Sequence, residues 1–244
     1  MDKQLNSPSY RPLYDQIKVL ITQSLIGGEW RPGEVIPSEV ELAMRYKVSQ
    51  GTVRKAIDSL ATENIVIRRQ GKGTYVATHK EDDIKLRFLR LTSETGHKEL
   101  LNNAFISCTK SKAGAYIAKI LEIKASASVI EVKRLLTFSG RPLIHDHIIV
   151  PAAAFKGLNR AKVEESSGSM YSMYEAQFGV RMVRAEERLK AVEAEASVAQ
   201  SLGLKQGHPL LSIERVSFTY GDKPMEWRLG LCLTDDHHYM SELE

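Results

Sequence analysis

The chain has 244 residues and a formal net charge of +4 at pH 7, and 43% of its residues are hydrophobic while 26% are charged. These values are typical of a globular protein with one large or two modest domains. No apolar run approaches the ~20 residues needed to cross a bilayer, and the first ten residues lack the apolar core of a signal peptide, so we expect a cytoplasmic protein. Cys108 and Cys232 have no metal-type spacing and are expected to be buried free thiols.

Two short helices joined by a small turn are predicted after Pro37. Ser38 and Glu41 form an S-x-x-E capping box, which specifies the first helix start, and Ser49 is the next N-cap candidate. The buried side of the first helix is expected to consist of Val40, Leu42, Ala43 and Tyr46. The second helix has a core-facing stripe at i, i+3, i+4 and i+7, formed by Val53, Ala56, Ile57 and Leu60. Its exposed face carries Gln50, Gly51, Arg54, Lys55 and Asp58.

The pattern changes from helical to strand-like after Asn64, where strands at 65–69 and 74–76 flank a loop at 70–73. The loop glycines permit positive φ and a close approach to phosphate. Between Arg45 and Lys80 eight Lys or Arg stand against two acids, an excess of six that is typical of a nucleic-acid-binding face. The order of elements predicts a winged helix-turn-helix that docks in the DNA major groove. The alternative is a solvated helix and hairpin whose charges only keep the protein soluble.

Residues 8–79 resemble the DNA-binding domain of GntR-type transcriptional regulators. The shared pattern is an amphipathic first helix (Leu13, Ile17, Leu20, Ile21, Leu25) stopped by Gly27-Gly28, then Arg31-Pro32-Gly33 and Pro37-Ser38-Glu39. The resemblance implies that Arg54 reads bases, and that Gln50 and Asn64 replace a usual arginine and a usual glycine. The DNA-binding residues expected are Ser38, Glu39, Arg45, Ser49, Gln50, Thr52, Arg54, Lys55, Arg69, Lys72 and Gly73.

Charge is distributed unevenly along the chain. Residues 1–80 hold 12 Lys or Arg and 8 Asp or Glu, whereas residues 81–244 hold 22 of each, so the first third carries the net charge of +4. This shift and the charged run THKEDDIK at 78–85 predict a DNA-binding domain at 1–79, a linker at 80–85 and a second domain at 86–244.

The second domain contains an internal repeat with an offset of 81 residues, in which Ile117 to Arg134 matches Val198 to Arg215. Each copy reads as helix, short loop, strand, turn and strand. We therefore predict an α+β fold with a mixed, mostly antiparallel sheet. A helix is also expected at 169–178, with a core stripe of Met170, Met173, Tyr174 and Phe178, followed by a strand at 182–192. A cleft where two similar halves meet is a natural site for a small ligand.

Two charged residues lie on the apolar faces of predicted strands. Arg134 shares a face with Val132 and Leu136, and Asp146 shares one with Ile144 and Ile148. Because a buried charge needs a partner, Arg134 must meet either an internal carboxylate such as Asp146 or an anionic ligand, and the alternation leaves both open. Arg215, the equivalent of Arg134 in the second copy, is more consistent with a structural ion pair.

Residues 86–240 resemble the UTRA effector-binding domain of the HutC subfamily of GntR regulators, whose fold is similar to that of chorismate lyase. The shared marks are Arg134 with Gly140-x-Pro142, Pro151, Ser169-x-Tyr171 and Pro224-x-Glu226. The resemblance implies effector contacts from Phe88, Arg90, Arg134, Asp146, Ser169, Tyr171 and Glu226. Asp146 replaces a usual glutamate, and Leu136 replaces an arginine found in sugar-phosphate-binding members.

The sequence thus predicts a homodimeric repressor that binds a palindromic operator and responds to a small carboxylate or other anionic metabolite, without a cofactor. Three alternatives remain open. His145 and His147, with Asp235 to His238, could bind a metal, although surface histidines are the more usual outcome. The second domain could be a lyase-like enzyme fused to a DNA-binding module, since fold does not determine function. The chain could also be a non-specific architectural DNA protein.

Overall fold

The structure is a computed structural model that describes residues 11–79, 90–94, 101–166 and 169–241. The chain divides into two compact units, Met1–Ala77 and Thr78–Glu244. Thr78 and His79, at the end of the predicted first domain, hydrogen-bond within the second unit, where the Glu175 carboxylate accepts from the Thr78 hydroxyl and the His79 N–H. No helix in the described ranges combines the length and the apolar character needed to cross a membrane.

The first unit contains three helices and a two-stranded hairpin. The helices are α1 (Leu13–Ile26), α2 (Glu39–Tyr46) and α3 (Gln50–Thr62), and the strands are β1 (Val66–Arg69) and β2 (Gly73–Val76). β1 and β2 pair antiparallel and form the predicted wing. Asn64 adopts φ +55°, a left-handed conformation that asparagine tolerates better than most residues, which explains why it can replace a glycine there.

Capping and packing explain where the helices of the first unit begin. The Ser38 side chain accepts from the Glu41 N–H while the Glu41 carboxylate accepts from the Ser38 N–H, so the predicted capping box is present. The predicted stripe of α3 is buried together with Leu42 of α2. The prediction for Val40 was wrong, because 51% of this residue is exposed. Val40 instead lines a groove between the start of α2 and the wing.

The second unit is built on a six-stranded sheet with the order β4-β5-β6-β9-β8-β7. Its strands are β4 (Leu101–Lys112), β5 (Ser128–Phe138), β6 (Arg141–Pro151), β7 (Arg184–Glu193), β8 (Pro209–Thr219) and β9 (Lys223–Cys232). Each neighbouring pair in this order is antiparallel. The remaining elements are β3 (Leu91–Ser93), β10 (His237–Tyr239), α4 (Ala115–Ile120), α5 (Arg160–Glu164), α6 (Met170–Phe178), α7 (Ala196–Leu202) and a 3-10 turn (Tyr220–Asp222).

The predicted internal repeat is confirmed by the order of the elements. β8 begins and ends 81 residues after β5, and α7 begins 81 residues after α4. Each copy contributes three adjacent strands, and the two copies meet where β6 pairs with β9 at the centre of the sheet. The second unit is therefore two similar halves joined through one central strand pair.

One face of the sheet carries two apolar clusters with charged residues between them. Val132 on β5 and Ile148 on β6 belong to a cluster that includes Tyr174 of α6. Leu136 and Ile144, further along the same two strands, belong to a second cluster with Val198 of α7. The register pairs Arg134 with Asp146 between these clusters, so both charges lie where an uninterrupted sheet core would be apolar.

Candidate functional site

The exposed surface of the first unit is organised around the carboxylate of Glu39, the first residue of α2. Glu39 Oε2 accepts from Arg54 Nε at 3.0 Å and from Gln50 Nε2 at 3.3 Å, and both donors lie on α3. Glu39 Oε1 pairs with Arg68 of the wing at 3.0 Å. Partial burial acts to raise the pKa of Glu39, but the hydrogen bonds from Arg54 and Gln50 and the charges of Arg54 and Arg68 outweigh it and lower the pKa below its ordinary value.

The groove beside this carboxylate brings together several of the predicted DNA-binding residues: Ser38, Glu39, Gln50, Arg69, Lys72 and Gly73. Gly73 adopts φ +105°, so the wing needs glycine at this position. The lining of the groove does not include the other predicted residues, Arg45, Ser49, Thr52, Arg54 and Lys55. Each of these lies on α2 or α3 or at the cap between them.

Several predicted DNA-binding side chains already have partners in the first unit. Arg45 forms a bidentate pair with the Glu29 carboxylate, and its guanidinium carbon lies 5.5 Å from the centre of the Trp30 ring. Ser49 caps α3 by accepting from the Thr52 N–H. The predicted set did not include Arg68. The signal for it was the pair of successive arginines in the wing, since strand alternation places Arg68 and Arg69 on opposite sides of the hairpin. The second contact of Arg68 is with Asp58 of α3, at 2.7 Å.

The second unit holds a buried cluster of charges. Arg134 Nε lies 3.0 Å from Asp146 Oδ2, and each side chain is 1% exposed. Arg228 of β9 also contacts Asp146, at 3.5 Å, and its Nε lies 3.2 Å from Glu226 Oε1. Asp146 is therefore shared by two guanidinium groups, and Arg228 joins it to a second carboxylate.

Tyrosine hydroxyls and a further ion pair extend the cluster. The Tyr171 hydroxyl of α6 donates to Glu226 Oε1 at 2.8 Å and lies 2.8 Å from Ser217 Oγ. Arg215 Nε donates to Glu187 at 2.7 Å, and the Tyr239 hydroxyl donates to the same carboxylate. The predicted structural ion pair of Arg215 is thus present, with an acid from the neighbouring strand.

Burial and charge set the protonation of these groups. Burial would raise the pKa of Asp146, but the guanidinium groups of Arg228 and Arg134 hold it below its ordinary value, so the carboxylate is ionised at neutral pH. Burial acts to lower the pKa of Arg228, but the carboxylates of Asp146 and Glu226 outweigh burial. The pKa of Arg228 therefore lies well above its ordinary value. Burial also raises the pKa of Tyr171 and Tyr174, so both phenols remain hydrogen-bond donors.

The comparisons with known proteins agree on both units. Residues 13–76 match the gntR family of bacterial regulatory proteins, and residues 100–238 match the UTRA domain. The HTH-type transcriptional regulator YurK of Bacillus subtilis is 31% identical over 237 residues, covering 95% of each chain. The chain belongs to the GntR family and carries a UTRA domain. It is therefore a DNA-binding transcriptional regulator whose second unit is the effector-binding domain of that family.

Two further relatives fit this assignment. A fructoselysine utilization operon transcriptional repressor of Escherichia coli is 28% identical over 218 residues, covering 89% of this chain and 88% of that protein. The structure of the ligand-binding domain of a GntR-family regulator from Bordetella bronchiseptica is 39% identical, with a TM-score of 0.61, and covers 65% of this chain and 98% of that one. The predicted fold class is confirmed.

The UTRA domain brings some predicted effector residues together and leaves others apart. Arg134, Asp146, Tyr171 and Glu226 lie in the buried cluster. Ser169 caps α6 by accepting from the Ser172 N–H. Arg90 is exposed and donates to Ser241 at 2.8 Å, and Phe88 lies outside the described residues.

Some members of the cluster were missed by sequence analysis. The order of strands in the sheets brings Arg228 of β9 to Asp146 and Glu187 of β7 to Arg215. It also brings Tyr239 of β10 to Glu187. Tyr174 was assigned to the core of α6, and its ring does pack on Phe155 at 4.6 Å between centres. Its hydroxyl, however, is buried and makes no hydrogen bond within the described residues. A sequence signal existed for Arg228, since it lies two residues after Glu226 on the same strand and therefore on the same face of the sheet.

The histidines and acids considered as a metal site are dispersed. Across the described ranges, no group of three or more His, Cys, Asp or Glu residues is placed to hold a metal ion. His147 lies 3.4 Å from Glu131, His208 lies 3.0 Å from Asp235, and His237 pairs with the adjacent Asp236. Cys232 is buried as expected, and burial raises the pKa of its thiol, whereas Cys108 is only half-buried.

Proposed function

We propose that this GntR regulator is a homodimeric repressor that acts in the cytoplasm, binds a palindromic operator, and changes its operator affinity when an anionic metabolite binds the UTRA domain. The observation that carries this proposal is the buried cluster of Arg134, Asp146, Arg228 and Glu226 in a chain that also holds a winged helix-turn-helix. Two-fold symmetry is supported by the docking rule that helix-turn-helix dimers read two half-sites about one helical turn apart.

The chemistry of the cluster supports an effector with an acidic group. Arg228 lies between Asp146 and Glu226, so the negative group of a ligand can compete with either carboxylate for its guanidinium. Tyr171 and Tyr174 supply neutral hydroxyl groups beside it. We therefore favour a small carboxylate or another compact anion with hydrogen-bonding groups.

A glycine in the centre of the sheet supports the same position for the ligand. Gly230 is the register partner of Asp146 and of Ile213, and a Cβ added to it would lie 3.5 Å from Ile144 Cγ2 and 3.8 Å from Asp146 Oδ1. Glycine weakens a strand interior and often marks a place where a ligand approaches the backbone. A hydroxyl or amino group of a ligand above Gly230 would donate to the Asp146 carboxylate, and the anionic group of the ligand would pair with Arg134 or Arg228.

The DNA-binding roles are proposed for the same reasons of charge and exposure. Arg54 is 57% exposed at its side chain and lies on the helix that enters the major groove in this docking geometry. Lys72 lies at the tip of the wing, where a positive charge meets phosphates. Ser38, Ser49, Thr52, Lys55 and Arg69 are proposed as positioning contacts on the same surface.

The experiment that tests this proposal has two linked steps. A thermal-shift screen of metabolites identifies ligands, because a ligand that binds the native state raises the melting temperature. Genomic fragments retained by the protein identify the operator, and its affinity is then measured with and without each ligand. We expect at least one anionic metabolite to change operator affinity and to be recovered chemically intact after long incubation.

The alternative readings predict different results in the same experiment. Chemical conversion of the metabolite would favour an enzyme fused to a DNA-binding module. Equal retention of all genomic fragments would favour an architectural protein, because backbone contacts alone do not report base identity. A ligand that raises the melting temperature but leaves operator affinity unchanged would remove the regulatory part of the proposal.

A further inference from the structure

The carboxylate of Glu39 is the point at which three parts of the DNA-binding unit meet. It joins the start of α2 to Arg54 and Gln50 on α3 and to Arg68 on the wing. Its side chain is only 15% exposed, whereas the side chain of Arg54 is 57% exposed. A negative charge on a surface built for a polyanion opposes phosphate binding, so its position there requires another explanation.

We propose that Glu39 is a positioning residue that sets the base preference of this regulator by orienting Arg54 and Gln50. The proposal rests on sequence-specific DNA binding through α3 and goes beyond it by naming which atoms of these two side chains are presented to the bases. Glu39 itself then contacts no base. It acts through the two side chains that it holds.

The geometry at Arg54 explains the first part of this role. Glu39 Oε2 accepts a hydrogen bond from Arg54 Nε–H at 3.0 Å, so the two terminal nitrogens of the guanidinium remain to donate to DNA as a fork. That fork matches the O6 and N7 acceptors of guanine in the major groove. Holding an exposed arginine in one orientation also reduces the side-chain entropy lost on binding. Glu39 therefore favours a contact of Arg54 with guanine over a contact of Arg54 with a phosphate.

The geometry at Gln50 gives a second, independent constraint. A carboxylate only accepts hydrogen bonds, so the amide group of Gln50 must turn its nitrogen toward Glu39, 3.3 Å away. The Gln50 carbonyl oxygen is then left to face the DNA as an acceptor. An acceptor is matched by the amino group of cytosine or of adenine, and not by the O6 and N7 of guanine. Glu39 thus assigns guanine to Arg54 and an amino-bearing base to Gln50.

The chain offers a matched control for a merely structural role. Glu41 lies on the same helix, two residues away, and its carboxylate completes the capping box by accepting from the Ser38 N–H at 2.8 Å. Glu41→Gln removes the same charge from the same helix end, but it leaves the contacts of Arg54 and Gln50 in place. An effect of the lost net charge or of helix stability on DNA binding is shared by both variants, whereas the release of Arg54 and any effect on base preference belong to Glu39.

The test is a selection of 20-base-pair sites from a random duplex library by the full-length wild-type protein and by its E39Q and E41Q variants. We expect the wild type and E41Q to enrich the same motif. We expect the preference of E39Q for the correct base over the other bases to fall roughly tenfold at two positions, the guanine contacted by Arg54 and the base contacted by Gln50. Binding of E39Q to unselected DNA should become tighter and its salt dependence steeper by about one unit, because Arg54 is released to phosphates while Arg68 keeps its ion pair with Asp58.

The possible results separate this inference from the function on which it rests. Failure of the wild type to enrich any motif would overturn sequence-specific binding itself. Enrichment of one motif with equal strength by the wild type and E39Q would overturn the role of Glu39 and leave the regulator intact. Equal loss of base discrimination in E39Q and E41Q would also overturn it, because that result assigns the effect to helix stability. Melting curves of the three proteins establish that each is folded at the selection temperature.

Discussion

Arg134 and Asp146 face each other across the β5–β6 hairpin, with Nε of the arginine 3.0 Å from Oδ2 of the aspartate and both side chains 1% exposed. The sequence left open whether Arg134 meets an internal acid or a ligand. The structure supplies the internal acid, and it adds Arg228 as a second cation on the same carboxylate, at 3.5 Å. An anionic ligand at this site must therefore exchange with a pairing that already exists.

Removal of Arg134 should have separable effects on stability and on sensing. Arg134→Ala leaves Asp146 with Arg228 alone, and we expect the free energy of unfolding of the UTRA domain to fall by about 3 kcal/mol, as for other broken buried pairs. The double variant Arg134→Met, Asp146→Leu removes both charges of the pair and leaves Arg228 with Glu226, so it should regain part of that stability without regaining the effector response. Urea denaturation and operator binding with effector measure the two properties. A single variant that stays folded and responds at wild-type effector concentrations would show that the ligand binds elsewhere.

The same pair predicts an acid-dependent loss of stability. The pKa of Asp146 is lower in the folded protein than its ordinary value of 3.8. Its contribution is therefore fully present above pH 3.8 and is lost as the pH falls from there through the lower folded pKa. We expect the stability of the wild type to fall more steeply below about pH 4 than that of the Arg134→Met, Asp146→Leu variant. Parallel curves for the two proteins, measured by urea denaturation at each pH, would contradict this assignment.

Local patterns were sufficient to predict most of the fold. The capping box at Ser38 and the α3 stripe depend on neighbours in sequence, the 81-residue repeat depends on the similarity of two segments, and each is present in the structure. Val40 was misplaced because a short helix has two plausible apolar sides, and the packing of α2 on α3 decides which one is covered.

The buried cluster could be predicted only in part. Arg134 and Asp146 could be predicted because alternation places both on the apolar faces of adjacent strands. Alternation on β9 places Arg228 on the same face as Glu226, but the contacts of Arg228 with Asp146 and of Glu187 with Arg215 depend on the pairing of β6 with β9 and of β7 with β8, which joins segments that are distant in sequence. Tyr174 was not predicted as a polar member of the cluster for a different reason: its ring has the periodicity of a core residue, and that periodicity says nothing about its buried hydroxyl.

Two variants of the DNA-binding unit should differ in the kind of defect that they show. Arg54→Ala is expected to cost about 1–3 kcal/mol of operator binding and to relax base preference, whereas Lys72→Ala should weaken all sequences similarly and reduce the salt slope by about one. Binding to operator and to scrambled DNA across a salt series measures both. An equal loss of specificity in the two variants would contradict the separation of base reading by α3 from phosphate contact by the wing.

A pair of tyrosine variants tests whether the Tyr174 hydroxyl serves the ligand. Tyr171→Phe removes the hydrogen bond to Glu226 and should destabilise the domain by about 1–2 kcal/mol. Tyr174→Phe removes a buried hydroxyl without a hydrogen-bond partner in the described residues, so stability should stay equal or rise, because an unsatisfied buried polar group is unfavourable. If the effector supplies the missing partner, Tyr174→Phe should weaken effector binding about tenfold, by the loss of one hydrogen bond to a charged group. Thermal melting without effector and effector titration measure the two quantities, and a Tyr174→Phe variant that melts lower than the wild type yet binds effector normally would assign this hydroxyl to the core and not to the site.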